Sequence, residues 1–183
     1  MATEAKADSL VDALARVEGK AEIVDGEIVL MPPAGDFHGR SGSAILLSLY
    51  RHERQARTGR AYGDNVGFLV DLKHRKSFSP DVAFYEGPRA GGDFLKGAPI
   101  FAAEVRSKGD YGPAAEKAMA LKRADYFAAG TQVVWDVDVL REGSIKVYRA
   151  TAPDSPTVYT RGQLAEAEPA LPGWTFPVDD LFD

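Results

Sequence analysis

An α/β or α+β sheet domain with at least one crossover is the fold class the sequence predicts, and three observations predict it. Short apolar runs of β type recur through the middle of the chain: "VGFLVDL", "SPDVAFYEG", "APIFAAEVRS", "TQVVWDVDV" and "GSIKVYRA". An alanine-rich helical stretch, "AAEKAMALKRADYFAAG", comes before the last two of them, and a helix, strand, strand succession calls for at least one crossover. Near the start, "AEIVDGEIVLMPP" reads as an N-terminal hairpin with Asp25-Gly26 as its turn and Pro32-Pro33 as its stop.

The elements follow in order. "ADSLVDALARVE", residues 7–18, spaces Leu10, Val11, Leu14 and Val17 as a short amphipathic helix. After the hairpin, Ile45, Leu46, Leu49 and Tyr50 keep a helical period from about Phe37 to Arg57, and Thr58-Gly59 ends it. Next come the β runs, with "KHRKS" as a basic turn and "GPRAGGDFLKG" as a flexible, exposed loop. Proline suits a helix start, so Gly112-Pro113 opens the second long helix and Gly130 stops it. The Pro-rich tail is expected to wrap the core through Leu171, Trp174, Phe176, Leu181 and Phe182.

A chain of 183 residues suits one domain, residues 1–183, with its core at about 20–150 and a wrapping segment at 151–183. With 45% hydrophobic and 27% charged residues, the composition is that of a globular protein. There are no cysteines, which removes disulfides, thiolate metal sites and cysteine nucleophiles together. The opening "MATEAKADSL" lacks a basic start followed by an apolar core, and "AILLSLY" is far too short to span a membrane. A cytoplasmic protein is the expectation.

The net charge of -5 argues against a general nucleic-acid coat protein, yet basic residues gather locally in "RHERQARTGR" and "KHRK". Arg51, Arg54, Arg57 and Arg60 fall three apart and drift around a helix, so they make a broad patch rather than a stripe. On charge alone this is a solvated helix end and turn.

Two carboxylates interrupt β-type apolar runs: Asp81 in "SPDVAF" and Glu104 in "FAAEVRS". A buried charge is costly unless something pairs with it. Two hard oxygen ligands on adjacent strands suit Mg2+ or Mn2+, with waters and a substrate phosphate completing the octahedron. Placed side by side without a metal, both acids are expected to have raised pKa values. Either alone would be an ordinary turn or strand-end residue. Asp136 and Asp138 alternate with Trp135 and Val137, which predicts a shared exposed face outside the site.

Here the sequence resembles the PD-(D/E)xK phosphodiesterase superfamily, through Pro80-Asp81 and Glu104-Val105-Arg106, with Arg106 where a lysine is usual. It is similar in particular to the bacterial restriction-endonuclease-like branch that long carried a domain-of-unknown-function label. The shared features are Glu104-Val105-Arg106-Ser107, then "KRADYFAAGTQVVWDVD", and the opening "VDGEIVLMPPAGDFHGR". The likeness runs from about Glu22 to Phe182.

That resemblance implies a restriction-endonuclease-like α/β fold, a mixed central sheet flanked by helices with an N-terminal hairpin, and hydrolysis of a nucleic-acid phosphodiester, with DNA as the expected substrate. It implies a metal held by Asp81, Glu104 and the Val105 backbone carbonyl. Lys122 would be the lysine that has moved onto the helix, with Lys117 competing for the role. His38 stands at the position of the branch's common histidine, as a candidate for metal-bound water or phosphate. Arg106 is a candidate phosphate contact, and Glu27 a candidate acid at the edge of the site.

The rival is a catalytically inactive nucleic-acid-binding or protein-interaction module on the same fold, which the arginine at position 106 favours. Ordinary salt bridges from the two acids to Lys122 and Arg106 would suit a purely structural domain. No GxxxxGK[ST], GxSxG or HExxH is present. A homodimer is expected because a duplex has two strands.

Overall fold

The computed structural model describes residues 9–183, so the first two residues of the expected N-terminal helix lie outside it. The strands are β1 (Ala21–Val24), β2 (Glu27–Leu30), β3 (Arg60–Tyr62), β4 (Phe68–Leu69), β5 (Ser77–Phe78), β6 (Val82–Tyr85) and β7 (Leu95–Lys96). They continue with β8 (Phe101–Val105), β9 (Val133–Asp138), β10 (Ser144–Arg149), β11 (Ala152–Thr160), β12 (Leu164–Glu166) and β13 (Thr175–Pro177). The helices are α1 (9–14), α2 (Asp36–Ala56) and α3 (Pro113–Ala128), and a 3-10 turn covers Val178–Leu181.

The central sheet has six strands in the order β11-β10-β9-β8-β6-β3. All neighbours are antiparallel except β8 and β9, which α3 joins as the crossover. Side chains alternate across this sheet, so each strand feeds two cores. On one face Val82, Phe84, Phe101, Ala103, Val105 and Trp135 pack against Ile45 and Leu49 of α2 and against the C-terminal segment. On the other, Ala83, Tyr85, Ala102 and Val134 meet Tyr126 of α3 together with Phe68, Phe78 and Leu95. Cover on both faces explains why these strands read as nearly unbroken apolar runs.

The hairpin β1–β2 turns through Asp25 (φ 52°) and Gly26 (φ 78°), a left-handed pair that matches strand twist. Its inner strand docks on residues 74–77: the Asp25 N–H donates to the His74 carbonyl, the Lys76 N–H to the Ile23 carbonyl, and the Ile23 N–H to Ser77 Oγ. Lys20 and Glu22 are thereby carried toward the start of β6.

Three expectations are corrected. The loop at 87–97 is not wholly exposed: its end forms β7, parallel to β4, and Leu95 is buried. Asp136 and Asp138 are buried rather than exposed, because α3 and the loop after β8 cover that face. The segment at 152–160 is a full strand; its Pro153 and Pro156 are tolerated because β11 lies at the sheet edge.

Leu171, Trp174, Phe176 and Leu181 of the C-terminal segment are buried in the core under α2. Trp174 stacks on Trp135 with ring centroids 4.9 Å apart, Phe101 meets both edge-on, and the Trp174 indole N–H donates to Ser48 Oγ at 3.1 Å. Ser41 Oγ of α2 donates to the Leu181 carbonyl, which closes the segment down. Trp174→Ala is expected to cost about 3–5 kcal/mol of unfolding free energy. The check is a lower urea midpoint at unchanged slope.

Candidate active site

β8 aligns with β6 and β9 so that Glu104 lies beside Asp136 in register and the Asp81 bend immediately precedes β6. Asp81 is buried, and its Oδ2 accepts the Val105 backbone N–H at 2.7 Å. Its Oδ1 faces the Lys20 ammonium and, at 3.2 Å, His38 Nε2. A carboxylate there can only accept, so Nε2 carries the hydrogen, and His38 Nδ1 lies 3.1 Å from Ser107 Oγ.

Glu104 is partly open to the cleft. Its Oε1 takes Lys122 Nζ at 2.9 Å and the Tyr126 hydroxyl at 2.6 Å. Its Oε2 accepts nothing from any described residue. The Tyr126 ring is held by stacking on Phe78 at 4.0 Å. Lys122 also reaches Glu22 Oε1 at 2.9 Å. That buried carboxylate is further held by the Ser79 N–H at 2.8 Å and by Arg75, whose Nε donates to Asp125 at 2.8 Å.

The electrostatics divide the two central acids. Burial works against ionisation of Asp81, but the His38 hydrogen bond and the Lys20 charge outweigh it, and the Asp81 pKa is held well below the usual carboxylate range. Burial raises the Glu104 pKa; Lys122 opposes the rise, and Asp81 adds to it. The expectation of two raised values therefore fails for Asp81, because its own cations sit on it. Glu22 is lowered despite its burial, through Lys122 and Arg75. Burial pulls the Lys122 pKa down, but Glu104 and Glu22 reverse that, so the ammonium stays charged.

Of the residues singled out in the sequence, Asp81, Glu104, Val105, Lys122 and His38 come together at one floor. Lys117 is exposed and does not line the cleft. Glu27 is exposed on β2, also outside the cleft lining. Arg106 lines the cleft but spends all five guanidinium N–H groups: two on Asp136 at 2.7 Å, two on Glu116 and one on the Asp110 carbonyl at 3.3 Å. It ties β8 to β9 and to the first turn of α3, and no N–H remains for a phosphate. The arginines Arg51, Arg54 and Arg57 lie toward the far end of α2, about 20 to 28 Å along its axis from His38.

Lys20 and Glu22 belong to this floor although sequence reasoning passed over them as site residues. The signal for Glu22 was present: it interrupts "AEIV" as Glu104 interrupts "FAAEV". In a hairpin, however, an alternating acid also reads as the solvent face.

A cleft of about 830 Å³ opens above the floor, with Val29, Met31 and Pro33 on the hairpin side and Met119 on α3. Among the described residues no three His, Asp or Glu side chains form a ready metal cage. Glu104 Oε2 is nevertheless free, and Asp81 lies one backbone hydrogen bond from the same strand. Around them Glu22, Asp64, Asp81, Glu104 and Asp125 face three permanent cations, Lys20, Arg75 and Lys122. Histidines aside, these carboxylates outnumber the cations by two. This donor set fits Mg2+ or Mn2+ bound by two carboxylates, with other positions left to water and substrate.

Fold and floor together define an α/β protein with a candidate phosphodiesterase centre at the ends of neighbouring strands. The family described as "Putative restriction endonuclease", Uma2, matches residues 10–179, and the chain belongs to that family. Among solved structures, one described as "a putative nuclease belonging to DUF820", from Anabaena variabilis ATCC 29413, superposes with a TM-score of 0.72 at 18% identity. The match covers 94% of this chain and 96% of that one, and shows a shared restriction-endonuclease-like fold. No curated protein sequence matches the chain.

His38 yields a pH prediction. Burial disfavours its protonation, but the bond to Asp81 and the Asp81 charge raise its pKa above the usual value. The His38–Asp81 ion pair thus stabilises the fold fully below about pH 6.5 and is lost as pH rises through the raised value. In melts of the metal-free protein, His38→Gln is expected to lower the melting temperature most at about pH 6, with the deficit shrinking toward about pH 9. A deficit independent of pH would contradict this.

Proposed function

We propose that the protein is a Mg2+- or Mn2+-dependent endonuclease that hydrolyses nucleic-acid phosphodiester bonds, with DNA as its substrate. The observation that carries the reading is the Lys122 ammonium, 2.9 Å from the half-open Glu104 carboxylate on a strand whose backbone also holds Asp81. Asp81, Glu104 and the Val105 carbonyl would hold the ion, which when bound supplies Lewis acidity toward a phosphate oxygen and a more acidic water.

The chain's own groups do the rest. Glu22 anchors Lys122 from behind, so its ammonium is presented to the cleft in one position, ready to orient a water or meet the negative charge that grows on the phosphoryl oxygens. Tyr126 fixes the Glu104 rotamer through its hydroxyl, leaving the second oxygen for the ion. His38 holds Asp81 through Nε2 and meets Ser107 through Nδ1, and would donate to a phosphate oxygen or to water on leaving one of these partners.

The inactive-module reading drew its support from Arg106 at the usual lysine position. Arg106 is occupied by Asp136 and Glu116, while Lys122 offers an ammonium from α3, and these two facts favour the enzyme. Cleavage of both duplex strands by one such cleft calls for a second copy, so a homodimer is part of the proposal, open to sedimentation analysis.

The test is nicking of supercoiled plasmid with Mg2+ or Mn2+ by the native protein, Glu104→Gln and Lys122→Ala at matched purity. Each variant is expected to lose on the order of a hundredfold or more in rate. Equal nicking by all three would overturn the reading, and DNA binding without turnover would favour the module.

A further inference from the structure

Lys20 lies just before β1, and docking of that strand on residues 74–77 places its ammonium among the acids. It bridges Asp81 Oδ1 and, at 2.7 Å, Asp64 Oδ1 in the turn after β3. The Lys20 side chain is 14% exposed and Asp64 52%, so the pair spans from the buried floor to the mouth of the cleft. His38 Nε2 approaches the same Asp81 oxygen. Asp81 Oδ2 is meanwhile occupied by the Val105 N–H, which leaves Oδ1 as the oxygen open to competition.

We infer that Lys20 is a displaceable counter-ion that competes with the divalent metal for Asp81 and couples metal loading to substrate binding; this rests on the nuclease reading above. A cation arriving at Asp81 Oδ1 meets an ammonium a few ångströms away, and like charges at that range repel strongly in a partly buried site. Lys20 must swing out for the ion to bind. Asp64, at the mouth, gives the ammonium a partner along that path, and a substrate phosphate lying over the floor gives it a better one. Metal and nucleic acid therefore favour each other's binding, since each relieves the cost the other meets, and the coupling is reciprocal.

Lys20 differs here from Lys122, which Glu22 holds from the far side and which, among the described residues, pairs only with the two acids of the floor. Lys20 is in this account a positioning residue for the metal, and its effect is read in affinity before any turnover.

The experiment is Mn2+ titration of the intact protein, followed by electron paramagnetic resonance of the free ion, for native protein, Lys20→Met, Lys20→Arg and Asp81→Asn. Lys20→Met is expected to bind Mn2+ on the order of tenfold more tightly than native protein, because the competing charge is gone. Lys20→Arg restores a competing cation and returns the affinity toward native. Thermal melts supply a second readout: Lys20→Met melts lower than native without metal, and Mn2+ raises its melting temperature by the larger increment.

Native and Lys20→Met proteins with equal Mn2+ affinity, or weaker binding by Lys20→Met, would overturn the inference. Asp81→Asn that still binds Mn2+ like native would instead overturn the metal site itself, and with it the reading on which this inference rests. The two failures are thus told apart.

Discussion

Glu22 has two oxygens, and three donors from different parts of the chain converge on them: the Ser79 N–H and Lys122 on one, Arg75 on the other. This buried carboxylate ties the hairpin to the approach of β6 and to α3. Arg75 extends the tie to Asp125 one turn further along the same helix. Without it Lys122 would lose the anchor that turns a long, flexible side chain into a fixed ammonium. A buried charge so paired contributes little net stability compared with apolar packing, but removing one partner strands the others. Its value lies in fixing the geometry of the floor.

Around that tie the fold sorts residues by face. Alternation along β8 sends Phe101, Ala103 and Val105 into the core under α2 and the two stacked tryptophans, and sends Ala102 and Glu104 toward α3. The chain can afford an acid at position 104 because the side facing α3 offers Lys122 and Tyr126 within hydrogen-bond reach. One position further on the same face, Arg106 is met by Asp136 and Glu116, a closed set in which every donor is used. Two neighbouring charges on one strand end thus have opposite fates: Glu104 keeps an oxygen open to the cleft, whereas Arg106 is locked as a clamp.

Much of this was legible in the sequence, and the misses have physical reasons. The long helices, the hairpin turn and the strands around Trp135 and Val147 follow from periodicity and from turn residues. Asp81 and Glu104 stood out because apolar runs make a carboxylate conspicuous. β3, β5 and β7 were missed since two- and three-residue strands carry too little alternation to register. β11 was hidden by prolines that only its edge position permits. Lys20 and Glu22 reach the site through docking of β1 on residues 74–77, a tertiary contact that leaves no local trace. Asp136 looked like a surface acid because its partner, Arg106, lies thirty residues away just past the end of the neighbouring strand.

The central claim is that Asp81 and Glu104 form one cation site beside a fixed Lys122. Anomalous diffraction from crystals grown with Mn2+ tests it most directly. The account predicts a peak between the Asp81 and Glu104 carboxylates, within coordinating distance of the Val105 carbonyl, with Lys122 still on Glu22. Crystals in which Mn2+ binds only elsewhere, or in which Asp81 stays on Lys20 at saturating metal, would contradict it.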